Sequence, residues 1–309
     1  MSKIFDALIV GGGPAGVSCA VWLARLGFSA ALLEAHDEVG GLCLINPFLD
    51  EWNATLPAMT GPQVAQQLTL SLERAKVPVW RGCKVTEARM AGDTSDVSFE
   101  VSAQGRAQPW KARHLVLATG VRARPLPGGQ NEEVAGNAMQ GVLVGPGTHI
   151  VAQDFGGKRV AVLGGGDNAF ENALYAHERG ASVTHLYARN IRAQHQFVRQ
   201  LASETVFRGE YVVDVPARTV NGIPYDLILV FYGWEPCVAF AGSLGLTRNS
   251  QGFVQTDPAT AQTSCRGVYA IGEVAQRLHP CVVTALADGV TAAKAIQARI
   301  ESLGRQVSA

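Results

Sequence analysis

Gly11, Gly13 and Gly16 are spaced G-x-G-x-x-G, and Glu34 stands 23 residues beyond the first of them. Residues of these types at this spacing suit one task, holding a dinucleotide. The first glycine makes a tight turn, the second lets the backbone approach a pyrophosphate, and the third lets a helix lie close to a strand. An acid about twenty residues on accepts hydrogen bonds from ribose hydroxyls. The elements that must position them can be read on either side. Residues 4–10 are a short apolar run, expected to be a buried strand. Residues 14–27 predict a helix with Pro14 and Ala15 in its first turn, and 28–33 a second buried strand ending at Glu34. The helix N-terminus would offer unpaired N–H groups to phosphate oxygens.

The pattern restarts 153 residues later. Residues 160–163 predict a strand, and Gly164, Gly166 and Ala169 repeat the spacing as G-x-G-x-x-A, with Asp167 and Asn168 between them. A helix to about residue 179 and a strand over 181–187 follow. In this second copy the position of the acid is Tyr187, and Arg189 and Arg192 come directly after it. Loss of the acid and gain of arginines is what a ribose 2′-phosphate asks for. The first copy therefore suits a dinucleotide with a free ribose, and the second suits NADP(H). The alternative reading of the two arginines is plain solvated surface charge.

Between and after these copies, Thr60 caps a helix over 60–75 that has Pro62 in its first turn. Strands are expected at 77–80 and 84–90, with a hairpin of 97–102 and 108–113 around Gly105. A separate buried strand at 114–119 ends in the Gly120 turn. Residues 122–147 are rich in Gly and Pro and read as a linker. Further strands are expected at 210–214, 226–232, 253–256 and 267–271, the last running into Gly272 and Glu273. His279 and Pro280 open a final helix over 281–303.

Composition narrows the function classes. Lys plus Arg and Asp plus Glu each number 26, so the net charge is zero, which argues against nucleic acid or an anionic membrane as partner. No apolar stretch approaches the length of a membrane span. Asp6 interrupts the first apolar run, so that run is not a secretion signal. The six cysteines, at 19, 43, 83, 237, 265 and 281, form neither C-x-x-C nor C-x₄-C. Free thiols in a reducing cytoplasm are the expectation, and no His/Cys cluster has metal spacing.

Six short motifs stand in order: GGGPAG at 11–16, GG at 40–41, TGP at 60–62, ATG at 118–120, GGGDNA at 164–169 and YAIGE at 269–273. In combination they resemble the two-domain flavin reductases with a thioredoxin-reductase-like fold, over essentially the whole chain. That resemblance implies an α/β protein of two Rossmann-like three-layer ββα/αβα domains. The NAD(P) domain, 123–246, is inserted into a discontinuous FAD domain, 1–122 and 247–309. FAD would meet Gly11, Gly13, Pro14, Ala15, Gly16 and Glu34 at the first glycine loop. Gly41, Leu42, Val85, Ala118, Thr119 and Gly120 would extend the site, and Gly272, Glu273, Cys281 and Val282 would face the flavin. NADPH, with NADH as the alternative, would meet Gly164, Gly166, Asp167, Asn168, Ala169, Arg189 and Arg192. Relatives of this kind are commonly homodimers whose domains rotate about linkers, here 122–125 and 245–249.

Departures from the pattern refine the expectation. Thioredoxin reductases carry C-x-x-C just before the second glycine loop, where 142–149 has no cysteine. The chain is in this respect similar to the thioredoxin-reductase-type ferredoxin/flavodoxin–NADP reductases, as it is over 154–159. The implied activity is hydride transfer from NADPH to FAD and electron transfer to a ferredoxin, a flavodoxin or a small acceptor. One phosphate-binding arginine of the family is Ala188 here, the family's Gly-Asp is Gly272-Glu273, and the β-meander after Arg199 looks shortened. Cys43 resembles the first cysteine of the glutathione-reductase group, but its partner position is Phe48. Cys281 would sit at a helix N-terminus, which favours a thiolate. His279 is a candidate flavin contact or a loop-closing residue. Two other readings stay open: a thiol or disulfide oxidoreductase using an atypical cysteine or fed by ferredoxin, and a low-turnover FAD-binding sensor.

Overall fold

Nearly every residue of strand β1 (Ile4–Val10) and of strand β2 (Ala30–Leu33) is buried, as expected of parallel strands covered on both faces. Both belong to a computed structural model of the chain, which describes residues 3–92, 98–127, 141–277 and 279–307. Helix α1 (Pro14–Arg25) connects them with proline at its start, where a missing N–H costs nothing. The chain divides into two compact units, the first made of Met1–Val121 and Glu235–Ala309, the second of Arg122–Trp234.

In the first unit the sheet runs in the order Val79–Trp80, β2, β1, Trp110–Leu117, Ser98–Ala103, Val85–Ala91. Helix α2 (Gly61–Arg74) starts at Thr60, whose N–H donates to Gln63 Oε1 at 2.8 Å. One face of the sheet packs Ala7, Ile9 and Leu32 against α1, α2 and the last helix, Val282–Val307. The other face gathers Phe5, Leu8, Val10, Phe99 and Trp110 with Val238 and Leu244.

Three expectations change here. Residues 110–117 form one strand, not the end of a hairpin followed by a second strand. No turn residue separates Arg113 from His114, so the chain continues. Its first half pairs antiparallel with Ser98–Ala103 and its second half parallel with Val268–Ala270. Residues 253–256 make only isolated bridges, Arg248 to Val254 and Thr256 to Thr263, because the turn at Asp257 ends the pairing. The chain rejoins the first unit at Glu235, before the expected 247, since Val238, Ala241 and Leu244 are buried in that unit's core.

The second unit has a five-stranded parallel sheet in the order Val142–Val144, Leu227–Val230, Arg159–Leu163, Val183–Ala188, Val206–Arg208. The edge strand Val206–Arg208 was not expected. The meander survives as three two-residue strands, Val213–Asp214, Thr219–Val220 and Ile223–Pro224, where residues 210–214 had predicted one longer strand. Of the linker at 122–147, residues 128–140 lie outside the described ones. Among the described residues no helix is long and apolar enough to cross a membrane.

Candidate functional site

Gly11 turns with φ +106°, and a Cβ there would stand 2.3 Å from Ala118 O. Only glycine lets the end of the strand Trp110–Leu117 lie against this turn, where Ala118 N–H donates to Val10 O at 2.8 Å. A Cβ at Gly16 would meet Gly11 O at 2.0 Å, which sets how closely α1 lies on the loop. The Gly40–Gly41 turn comes in from the other side: Gly40 N–H donates to Gly12 O at 2.9 Å, and a Cβ on Gly41 would be 3.1 Å from Gly13 Cα. Gly13 caps α1 without a side chain, and no acid occupies the first turn. Glu34, 5% exposed, accepts Gly12 N–H on Oε2 at 2.6 Å and His36 N–H on Oε1 at 2.8 Å. Both oxygens keep lone pairs for ribose hydroxyls.

The Gly272 turn closes the arrangement. Gly272 has φ +68°, and a Cβ there would lie 2.9 Å from Ala15 Cβ at the start of α1. Its N–H donates to Asp288 Oδ2 at 3.0 Å, and Arg277 Nη1 donates to Asp288 Oδ1 at 2.7 Å. Arg277 Nη2 reaches Pro258 O. The side chains of Arg277 and Asp288 are 9% and 5% exposed. A cleft beside them is lined by Glu273, Gln276, Cys281 and Thr284. Burial pushes the Glu273 carboxyl above its ordinary pKa.

The remaining expected residues fall as follows. Thr119 Oγ1 donates to Cys237 O at 2.5 Å, and Gly120 turns with φ +63°. Leu42 lies half-buried in the 3₁₀ turn Gly41–Ile45. Val85 opens its strand and packs against the cluster on the sheet face opposite α1. Cys281 caps the last helix: its carbonyl accepts Ala285 N–H at 3.0 Å and its Sγ accepts Thr284 N–H at 3.5 Å, with Val282 the first helical residue. His279 is exposed, and its carbonyl accepts Thr284 Oγ1 at 2.6 Å, so its backbone closes the loop. Cys43 is buried, and burial, with the charges of Asp50 and Glu273, pushes its thiol up to about 11. Cys19, Cys43, Cys83, Cys265 and Cys281 are free thiols.

The second loop repeats the construction. A Cβ at Gly164 would meet Phe231 O at 2.3 Å, one at Gly165 would meet Asn190 O at 1.9 Å, and Gly166 faces open space. Gly166 caps the helix Asp167–Glu178 without a side chain. Asn168 and Ala169 lie in its first turn, and Ala169 is buried. Gly165 O accepts Arg192 N–H at 2.7 Å and Ala193 N–H at 3.0 Å, while Asp167 accepts Gln194 N–H at 2.7 Å and Nε2 at 3.0 Å. The segment that carries Arg189 and Arg192 is thereby strapped onto the glycine loop. Arg189 pairs with Glu210 at 2.9 Å, and Arg192 is exposed.

The description "pyridine nucleotide-disulphide oxidoreductase" fits residues 5–289 as one family model. The chain belongs to that family. Among members of this oxidoreductase family, it is 27% identical to the thioredoxin reductase of Listeria innocua over 99% of this chain and 97% of that one. It is 29% identical to the ferredoxin–NADP reductase of Limosilactobacillus fermentum, over 88% and 86%. The fold matches that of Lactococcus lactis thioredoxin reductase with a TM-score of 0.76 at 24% identity, over 95% and 98%. FAD and NADPH are the cofactors of the thioredoxin-reductase-like members. The residues present fit both groups. Each glycine loop keeps its second glycine, Gly13 or Gly166, clear of close neighbours so that a ligand can approach the backbone, and each following helix starts without a side-chain cap. Only the first cradle has a buried carboxylate at the end of its second strand.

Several site residues escaped the sequence reading. Gly12 is one: a Cβ there would stand 2.8 Å from Glu34 Oε2. The unbroken triple glycine was its signal, as it was for Gly165. Asp288 and Gly289 are others, and the trace they left was a lone acid followed by glycine inside an otherwise apolar and small-residue helix segment.

Proposed function

We propose that this oxidoreductase takes reducing equivalents from NAD(P)H and hands them to a small redox protein or a diffusible acceptor without a dithiol relay. The observation that carries the reading is the cysteine inventory. None of the six is spaced C-x-x-C, and the thiol at position 43 is buried and held protonated with Phe48 at its would-be partner position. The matching relatives include a ferredoxin–NADP reductase and a protein of a clostridial rubredoxin operon, which supports a small redox protein as acceptor.

When bound, FAD supplies the hydride acceptor and the outgoing electrons. The chain's residues hold and tune. The start of α1 binds pyrophosphate through backbone N–H groups, Glu34 takes ribose hydroxyls, and Ala118–Gly120 and Gly272 wall the cradle. Asp288 keeps the Gly272 turn in place. The N-terminus of the last helix, at Cys281 and Val282, places a positive dipole end where it stabilises negative charge. In the second unit Gly164, Gly166 and the helix from Asp167 take the nucleotide's phosphates, with Arg189 and Arg192 toward its ribose. No side-chain acid or base is needed for hydride transfer.

Anaerobic titration tests this. NADPH is expected to bleach the visible flavin band, and cytochrome c is expected to be reduced only when ferredoxin or flavodoxin is added. Joint replacement of Cys43 and Cys281 by Ser is expected to leave turnover within about twofold. Loss of turnover in that variant would move the reading to a thiol oxidoreductase. Absence of bleaching by NADPH and by NADH would move it to a ferredoxin-fed enzyme or a sensor.

A further inference from the structure

The second nucleotide cradle differs from the first at the tip of its second strand, and the difference is tied to a neighbour. Tyr187 occupies the position of Glu34 but is 1% exposed, and its hydroxyl lies 2.7 Å from Tyr225 Oη, which in turn lies 2.7 Å from His185 Nδ1. Phe207 stacks on its ring at 4.9 Å. The residue at the acid's position is thus turned into an aromatic cluster and offers a ribose nothing. Ala188, the next residue, has no charge to give. Arg189 is therefore the first cation beyond the strand, and it is engaged by Glu210 Oε2 at 2.9 Å.

Arg189 and Glu210 leave adjacent parallel strands at the same level. Ala188 pairs with Arg208, and Gly209 N–H donates to Ala188 O at 3.0 Å. Both side chains emerge at the carboxyl edge of the sheet, where ligands of such sheets bind. Both are exposed, so the pair can open without breaking the core. A ribose 2′-phosphate would need Arg189 and would meet Glu210 as a like charge. A ribose 2′-hydroxyl carries no charge and can donate to a carboxylate.

We propose that Glu210 sets the nucleotide selectivity of this cradle: it withholds Arg189 from a 2′-phosphate and so narrows the preference for NADPH over NADH. The inference rests on the reading above that the second unit binds a pyridine nucleotide. It assigns selectivity to a carboxylate just past the end of the neighbouring strand, 23 residues beyond Tyr187.

The test is calorimetric titration of the full-length protein with adenosine 2′,5′-bisphosphate and with adenosine 5′-diphosphate, which need no flavin. Glu210→Gln is expected to tighten the 2′,5′-bisphosphate roughly tenfold and to leave the 5′-diphosphate within about twofold, as removal of one close like charge implies. The gain should shrink with added salt. It should vanish in an Arg189→Gln background, since the effect is a coupling between the two side chains. Glu178→Gln, at the far end of the helix Asp167–Glu178, should change neither probe. Equal tightening of both probes, an unchanged 2′,5′-bisphosphate affinity, or the same gain from Glu178→Gln would overturn the proposal. If neither probe binds any variant and NADPH does not bleach the flavin, the reading beneath it falls instead.

Discussion

Glu273 shows what one longer side chain does in this setting. The residue stands where the resemblance has aspartate, and burial raises its pKa above the ordinary 4.5. The folded state then holds a proton that the unfolded chain releases at lower pH. The stability Glu273 contributes is complete below 4.5 and is lost as pH rises through the higher folded value. Asp288 shifts the same way through burial, opposed by Gly272 N–H and Arg277, so it adds to the trend. Burial shifts His114, His149 and His185 down, and these pull the other way, so the readout is the difference between proteins. For the flavin-free protein, the urea midpoint of wild type relative to Glu273→Gln should be lower at about pH 8 than at about pH 5. A variant whose midpoints run parallel to wild type across this range would show that the carboxyl ionises without cost.

At the scale of elements, α1 and the last helix cross at close range in the first unit. A Cβ on Gly289 would meet Ala15 O at 2.5 Å, Cys19 N at 2.7 Å and Ser18 Cβ at 2.7 Å, and Ser18 Oγ donates to Leu286 O at 2.7 Å. Two of those neighbours are backbone, so one helix must move. Gly289→Ala should cost about 1–3 kcal/mol in urea denaturation, although helix propensity alone would stabilise it by about 1 kcal/mol. A variant as stable as wild type would mean that the helices separate freely. The crossing also shows what the sequence could and could not reveal. Gly11, Gly13, Gly16, Gly164 and Gly166 were legible because a close backbone approach tolerates few residue types at fixed spacing. Glu34 and the Thr60 cap were legible for the same local reason. Asp288 and Arg277 were not, because what fixes them is a buried pair that also ties down Pro258, and nothing local demands either type. Tyr187 could be read as a lost acid, but its inward turn depends on Phe207, on an edge strand whose three residues carry no distinctive pattern.

At the scale of the whole chain, each hydrophobic cluster among the described residues is drawn from one unit. The first unit's two clusters use residues up to Ala118 and from Val238 on. The second unit's two clusters fall between Leu126 and Tyr232. The two places where the chain leaves and rejoins the first unit are bonded there, with Cys237 N–H donating to Gly120 O at 3.0 Å. A discontinuous unit whose cut ends are held together can stay folded when its insert melts. Calorimetry of the whole chain is accordingly expected to show two transitions. Adenosine 2′,5′-bisphosphate at about 100 times its dissociation constant should add about 2.7 kcal/mol to the unit Arg122–Trp234 alone, and FAD should raise the other. The segment 122–234 expressed by itself should unfold cooperatively and keep its affinity for the bisphosphate. A single transition that both ligands raise together, with an isolated segment that does not fold, would mean that the inserted cradle depends on its host for stability and not only for attachment.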